Sequence, residues 1–136
     1  MLTFEDNEND MLDRILSLLD SASLKIYGEM QHSLIFQGLK IDEFRRIVVR
    51  DDREIELTYI EFEIVLLLAK NSGMVFSKER IYDMVWKEPY TGDYNIVMSH
   101  IHNIREKIED NPRKPIYIQT VWGVGYRFNK NLSNSL

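Results

Sequence analysis

The fold is decided by the stretch TVWGVGYRF at residues 120–128. Gly123 and Gly125 permit a tight turn with positive φ, which residues with a β-carbon adopt only at a cost. Valine, tyrosine and phenylalanine on either side of the glycines are residue types that favour strands. The stretch therefore predicts a β-hairpin with a short turn.

A helical pattern lies upstream of this hairpin, at residues 93–109, and the Asn-Pro pair at residues 111–112 would end it. Apolar residues recur at intervals of four, three and four, which places them on one face: Val97, Ile101, Ile104 and Ile108. A helix followed by a hairpin that carries Trp122 and Arg127 is typical of a winged helix. In that arrangement the helix enters the DNA major groove and the hairpin contacts the backbone or minor groove.

The segment at residues 33–57 alternates short apolar runs with turn residues. The runs LIF at 34–36, LKI at 39–41, IVV at 47–49 and IEL at 55–57 predict four strands. Gly38 and the acidic pairs at 42–43 and 51–52 supply the turns between them.

Two more helices separate these strands from the hairpin helix. Thr58 and Glu61 have the spacing of a capping box, which would open a helix that runs to about Asn71. Ser77 would cap a second helix that ends at Trp86. The residues expected to face the core are Phe62, Val65, Leu66 and Ala69 in the first helix and Ile81, Met84 and Val85 in the second.

Several motifs in one order resemble the C-terminal effector domain of OmpR/PhoB-type response regulators, which are bacterial transcription factors. The family pattern T-V-x-G-x-G-Y-x-F matches residues 120–128, and further matches are LTYIEF at 57–62, VFSKERI at 75–81, Val85-Trp86, and His100-Ile101 with Arg105. The resemblance covers about residues 33–129. It implies an α+β winged helix-turn-helix domain at residues 33–130, with an N-terminal four-stranded antiparallel sheet, three helices and a C-terminal hairpin wing. Residues 131–136 would form a disordered tail.

The resemblance implies sequence-specific binding of double-stranded DNA for transcriptional regulation, without enzymatic activity. The chain would be the effector part of a two-component response regulator or a free-standing relative. A rival hypothesis is a protein-interaction module that kept the winged-helix fold and lost DNA affinity. Salt-dependent binding to duplex DNA would discriminate between the two.

The resemblance also assigns candidate DNA contacts. Relatives often have arginine at positions 95, 102 and 103, where this chain has two asparagines and a histidine, so the target sequence is not inherited. Asparagine suits adenine, and histidine can donate to guanine. Trp122 replaces an arginine of many relatives and would pack on a sugar or cover the hairpin. The expected backbone contacts are Trp86, His100 and Arg105; the groove-facing residues are Asn95, Ser99, His102 and Asn103; and the wing adds Thr120, Trp122 and Arg127.

The formal net charge of −5 argues at first against nucleic acid. Its distribution matters more, because residues 1–32 carry seven acidic and two basic side chains and residues 94–136 carry six basic and three acidic ones. The acidic segment also has an apolar helical stripe at Leu12, Ile15, Leu16 and Leu19, similar to the last helix of the family's receiver domain. A helix that caps the domain's own sheet is an equally open interpretation.

The remaining expectations concern partners and surroundings. In the family the loop between the second and third helices can touch RNA polymerase, which would involve Lys87, Glu88, Tyr90 and Thr91; a plain connector is the alternative. We expect no metal or cofactor, since cysteine is absent and His100 and His102 lie on different helix faces. With no apolar run long enough to span a membrane and no secretion leader, a cytoplasmic protein is the default. It would be a monomer in solution, with a head-to-tail pair on DNA.

Overall fold

The N-terminal part of the domain is a four-stranded antiparallel meander. The computed structural model describes residues 32–88 and 93–132, and the structural statements below concern these residues. Alternate side chains of the sheet, among them Phe36, Ile41 and Val48, are buried against the helices. The strands, which pair in chain order, are β1 (Ser33–Phe36), β2 (Leu39–Asp42), β3 (Ile47–Arg50) and β4 (Arg53–Ile55).

The fourth strand lies two residues earlier than the sequence predicted. Asp51 and Asp52 both have positive φ, of 47° and 66°, and form a two-residue turn that places Arg50 opposite Arg53. A turn of this kind matches the twist of the strands it joins, and aspartate tolerates its left-handed conformation. Pairing therefore resumes at once at Arg53, and the strand prediction at residues 55–57 was wrong beyond Ile55.

Three helices follow the sheet: α1 (Tyr59–Lys70), α2 (Lys78–Trp86) and α3 (Tyr94–Ile108). The predicted capping box is present, because the Glu61 amide donates to Thr58 Oγ1 at 3.2 Å and the Thr58 amide donates to Glu61 Oε1 at 3.0 Å. Ser77 caps α2 by accepting a hydrogen bond from the Arg80 amide at 3.1 Å. Both helix starts are therefore where the local sequence indicated.

One inward residue of α2 was predicted wrongly. Met84 is 48% exposed, whereas Tyr82 is buried beside Ile81 and Val85. Positions 82 and 84 flank the inward direction on opposite sides, so periodicity alone does not distinguish them. The flank of Tyr82 is covered because Tyr82 stacks on Trp86, which in turn lies against α3.

The core face of α3 is the one that the sequence predicted, since its four apolar residues are at most 1% exposed: Val97, Ile101, Ile104 and Ile108. The helix ends at Ile108, before the Asn-Pro pair at residues 111–112. Glu109 already has an extended backbone, with φ −87° and ψ 140°. Its carboxylate accepts hydrogen bonds from the amides of residues 116–118, so the end of the helix is tied to the segment that follows it.

A hairpin of β5 (Ile118–Val121) and β6 (Gly125–Phe128) completes the domain. It is joined to the segment between α1 and α2 by an isolated bridge in which Phe76 and Tyr126 exchange two main-chain hydrogen bonds of 2.8 and 2.9 Å. A 3-10 turn, Lys130–Leu132, follows, and the Gln37 amide donates to the Leu132 carbonyl at 2.8 Å. Two residues assigned to the tail from the sequence thus belong to the packed domain. The predicted winged helix-turn-helix fold is confirmed.

Candidate nucleic-acid interface

The face of α3 opposite the core is polar and open to solvent. Its helical spacing gathers amide, hydroxyl and imidazole groups on one surface, as the sequence predicted. The sequence between residues 95 and 103 contains no arginine or lysine, so this face offers hydrogen bonds rather than positive charge. Five exposed residues line one shallow depression: Asn95, Met98, Ser99, His102 and Asn103.

Acidic groups border this depression at both ends. Asp93 caps α3 by accepting a hydrogen bond from the Asn95 amide at 3.1 Å. One turn beyond the depression, Glu106 Oε1 lies 3.8 Å from His102 Nε2, and both side chains are more than half exposed. Such an exposed pair contributes little energy and leaves the imidazole free to turn to a ligand.

Trp86 and His100 lie side by side between α2 and α3. The indole of Trp86 stacks on Tyr82 with ring centroids 4.7 Å apart and planes 11° apart, and its centroid is 5.6 Å from that of His100. Within the described residues, the buried Nδ1 of His100 has no hydrogen-bond partner. An imidazole enclosed in this way offers only Nε2 to a ligand.

Arg105 is half-buried and engaged by the protein. Its Nε and Nη2 donate to the carbonyl oxygen of Ile118 at 3.2 and 2.9 Å, and Nη2 also donates to Thr120 Oγ1 at 2.8 Å. Burial lowers the pKa of Arg105, and the neighbouring Tyr126 and Glu109 raise it in part. The guanidinium thus joins α3 to β5 through contacts within the protein itself.

The tip of the hairpin presents apolar side chains to solvent. Trp122 is 88% exposed and Val124 is 58% exposed. With so little of its surface buried, the indole gives the hairpin little cover, which favours the alternative that Trp122 packs on a ligand. An aromatic ring held this far out can stack on or pack against a ligand.

A cationic cleft lies beside the wing, between β5 and the segment that follows α3. Three guanidinium-bearing residues, Arg105, Arg113 and Arg127, line it together with Trp122. Arg127 Nε donates to Gln119 Oε1 at 3.0 Å on the neighbouring strand, which fixes its side chain along the cleft. In the sequence Arg113 is only one of the six basic residues at 94–136, because no motif marks it.

Glu109 is a second residue whose role sequence reasoning missed. Its buried carboxylate accepts hydrogen bonds from the amides of Ile116 at 2.8 Å, Tyr117 at 3.0 and 3.1 Å, and Ile118 at 2.9 Å. The available signal was an acidic residue at a helix C-terminus, where the helix dipole disfavours negative charge. Such a residue needs donors elsewhere, and here the chain leading into β5 supplies them.

The candidate polymerase-contacting loop is described only in part. Lys87 ends α2 with a left-handed backbone, φ 59°, and its side chain is exposed. Glu88 is also exposed and accepts a hydrogen bond from Tyr82 Oη at 2.8 Å. Tyr90 and Thr91 lie outside the described residues.

Neither a cluster of metal ligands nor a candidate membrane span occurs in the described part of the chain. At residues 32–88 and 93–132, no three histidine, aspartate or glutamate side chains are grouped to hold a metal ion. None of the described helices has the length and apolar character needed to cross a bilayer.

The fold and this surface together define a winged-helix domain with a polar, exposed third helix. Residues 52–128 match the model of the family "Transcriptional regulatory protein, C terminal". The regulatory protein VanRc of Enterococcus gallinarum is 47% identical over 92 residues, which cover 68% of this chain and 39% of that protein. The chain therefore belongs to the OmpR/PhoB-type effector domains, which confirms the resemblance. It spans between about two fifths and one half of the length of the curated relatives it matches.

Solved structures agree with this assignment. The response regulator DrrB of Thermotoga maritima, an OmpR/PhoB homologue, superposes with a TM-score of 0.67 and 38% identity, covering 79% of this chain and 50% of that one. The DNA-binding domain of RstA from Klebsiella pneumoniae, in complex with the RstA box, has a TM-score of 0.67 and 27% identity. It covers 71% of this chain and 96% of that one.

Proposed function

We propose that this domain binds double-stranded DNA sequence-specifically and thereby regulates transcription, as the effector part of a response regulator or of a free-standing relative. One observation carries the proposal. Met98 lines both the polar depression on α3 and a groove formed by the wing at residues 120–126, so helix and wing share one continuous surface. A major-groove helix with an adjacent wing needs this arrangement. The RstA domain, which is bound to its box, supports the same use of the fold.

The polar face of α3 would read bases in the major groove. Asparagine can form two hydrogen bonds with adenine, and His102 can donate to guanine acceptors. The exposed Trp122 would pack on a sugar at the minor groove, with Thr120 and Arg127 behind it. Contacts with the DNA backbone would come from Trp86 and His100. Arg105 lines the cationic cleft beside the wing. Residues 33–132 would form the DNA-binding domain, which the acidic segment at residues 1–32 precedes in the sequence.

We assign no enzymatic activity to the domain, in keeping with its family. The protein would act in the cytoplasm as a monomer that pairs head to tail on direct repeats, with no membrane association. The loop carrying Lys87, Glu88, Tyr90 and Thr91 would contact RNA polymerase. The rival function, a protein-interaction module without DNA affinity, is motivated by the absence of positive charge on the exposed face of α3.

Selection from a library of random duplexes tests the proposal. Repeated selection should converge on one motif, and the protein should bind that motif at least about 10³ times more tightly than a shuffled duplex. A variant with Asn95→Ala, His102→Ala and Asn103→Ala should retain non-specific binding and lose the preference. Failure of the wild type to enrich any motif, with the protein shown to be folded, would favour the interaction module.

A further inference from the structure

Arg105 of α3 and Glu109, the residue that follows the helix, bind both main-chain polar groups of Ile118, the first residue of β5. The carboxylate of Glu109 accepts a hydrogen bond from the Ile118 amide at 2.9 Å. The guanidinium of Arg105 donates twice to the Ile118 carbonyl, at 2.9 and 3.2 Å. Arg105 and Glu109 meet at the end of the helix, where the Glu109 amide donates to the Arg105 carbonyl at 3.0 Å.

Arg105 and Glu109 also form hydrogen bonds with residues on either side of Ile118. Arg105 reaches forward to Thr120 Oγ1 at 2.8 Å, while Glu109 reaches back to the amides of Ile116 and Tyr117. Hydrogen bonds that involve a charged group are about twice as strong as neutral ones, and a planar guanidinium adds directional control. The start of the wing is therefore fixed to the end of α3 by two groups of opposite charge. The Arg105 guanidinium donates hydrogen bonds, and the Glu109 carboxylate accepts them.

On the β6 side, main-chain hydrogen bonds link the hairpin to the segment between α1 and α2: Tyr126 bridges to Phe76, and the Gly73 amide donates to the Phe128 carbonyl at 2.8 Å. These links do not involve α3. On the β5 side, Arg105 and Glu109 restrain the angle between the wing and the exposed face of α3.

We propose that Arg105 and Glu109 are positioning residues, which hold the wing so that Trp122 and the polar face of α3 meet one duplex at the same time. Arg105 acts on DNA through β5 rather than chiefly as a phosphate contact. This inference rests on the proposed DNA binding. A helix and a wing on one rigid body engage DNA as linked sites, and loosening the link lowers the effective concentration of the second site.

A double-mutant cycle on the selected duplex tests the inference. Trp122→Ala should lower affinity about tenfold in the wild-type background, as expected for loss of one stacked or packed aromatic ring. In Arg105→Lys or Glu109→Gln backgrounds the same change should lower affinity less than about twofold, because the wing is no longer held in place. Glu106→Gln is the matched control on α3, and it should leave the full effect of Trp122→Ala.

Arg105→Lys is informative because lysine keeps the positive charge and loses the two-pronged guanidinium. If Arg105 were chiefly a phosphate contact, Arg105→Lys would preserve most of the affinity and Arg105→Gln would reduce the log–log salt slope by about 0.9. Positioning predicts the reverse: Arg105→Lys weakens binding severalfold, and Arg105→Gln leaves the slope nearly unchanged.

Two outcomes separate this inference from the function on which it rests. Normal wild-type binding with additive effects of Arg105→Lys, Glu109→Gln and Trp122→Ala would overturn the positioning role alone. Absence of duplex binding by the folded wild type would overturn both. Thermal unfolding shows whether each variant is folded under the conditions of the binding measurement. If Glu109→Gln does not fold, the comparison of Arg105→Lys with wild type still tests the inference.

Discussion

Gly125 lies directly against the main chain of Phe76. A β-carbon at Gly125 would overlap the carbonyl oxygen of Phe76 and would lie 2.7 Å from its carbonyl carbon and 2.9 Å from Ser77 Cα. All three are main-chain positions, which cannot move aside as a flexible side chain can. Close approach of backbone at the Phe76–Tyr126 bridge therefore requires glycine at this position.

Gly125→Val should destabilise the domain by about 1–3 kcal/mol, because the new side chain must break or displace that bridge. Gly123 is a contrasting case: it has φ +78° with nothing within 4 Å of a β-carbon, so Gly123→Ala should cost only about 1 kcal/mol of backbone strain. Val124→Ala at the exposed tip should change stability by no more than about 0.5 kcal/mol. Chemical denaturation of the three variants gives the ranking, and equal stability of Gly125→Val and Val124→Ala would contradict it.

Asn103→Ala should lower affinity for the selected duplex by about 1–3 kcal/mol and relax the preference at one base pair. The Asn103 side chain is exposed, so the substitution should leave folding unaffected. The same measurement on Asn95→Ala should identify a different base pair. Equal weakening on every duplex would show that these residues contact the backbone and that the assignment of faces is wrong.

Glu61 joins α1 to α3 through the ammonium group of Lys107. Burial by itself would raise the pKa of Glu61, but the hydrogen bonds from Lys107 and the Thr58 amide lower it below the ordinary value of 4.5. A carboxyl group whose pKa is lower in the folded state stabilises the fold above the unfolded-state pKa. That stabilisation is lost as pH falls below about 4.5 through the folded value.

Glu61→Gln should therefore reduce the free energy of unfolding by about 1–2 kcal/mol at pH 7, and the difference from wild type should shrink as pH falls below about 4.5. Glu54→Gln, at an exposed carboxylate of β4, is the matched control and should follow the wild type. Urea denaturation at pH 7, 5 and 3.5 measures the difference. A constant difference between Glu61→Gln and wild type across this range would exclude a pH-linked contribution.

Local signals in the sequence predicted the helix starts and the core face of α3. Thr58 and Ser77 bind amides three residues away, and the apolar stripe of α3 depends on helical periodicity alone. The exposed polar face of the candidate site was predictable for the same reason, since it is the reverse of that stripe. The positions of Asn95 and His102 needed no tertiary information.

Features set by distant partners could not be predicted in this way. The start of β4 depends on a two-residue turn whose left-handed conformation at Asp51 and Asp52 the sequence merely allows. Tyr82 rather than Met84 is buried on α2, because Tyr82 stacks on Trp86, which packs against α3. The engagement of Arg105 with β5 joins residues 13 and 15 positions apart, and no local pattern marks that pairing.

Affinity for the selected duplex as a function of salt concentration tests most directly whether this domain is a DNA-binding module. With about four to six phosphate contacts, the logarithm of the association constant should fall with the logarithm of salt concentration with a slope of roughly −4 to −5. A shuffled duplex should show weaker binding with a comparable electrostatic dependence. A flat salt response, or no binding to any duplex at low salt, would contradict DNA binding by this surface.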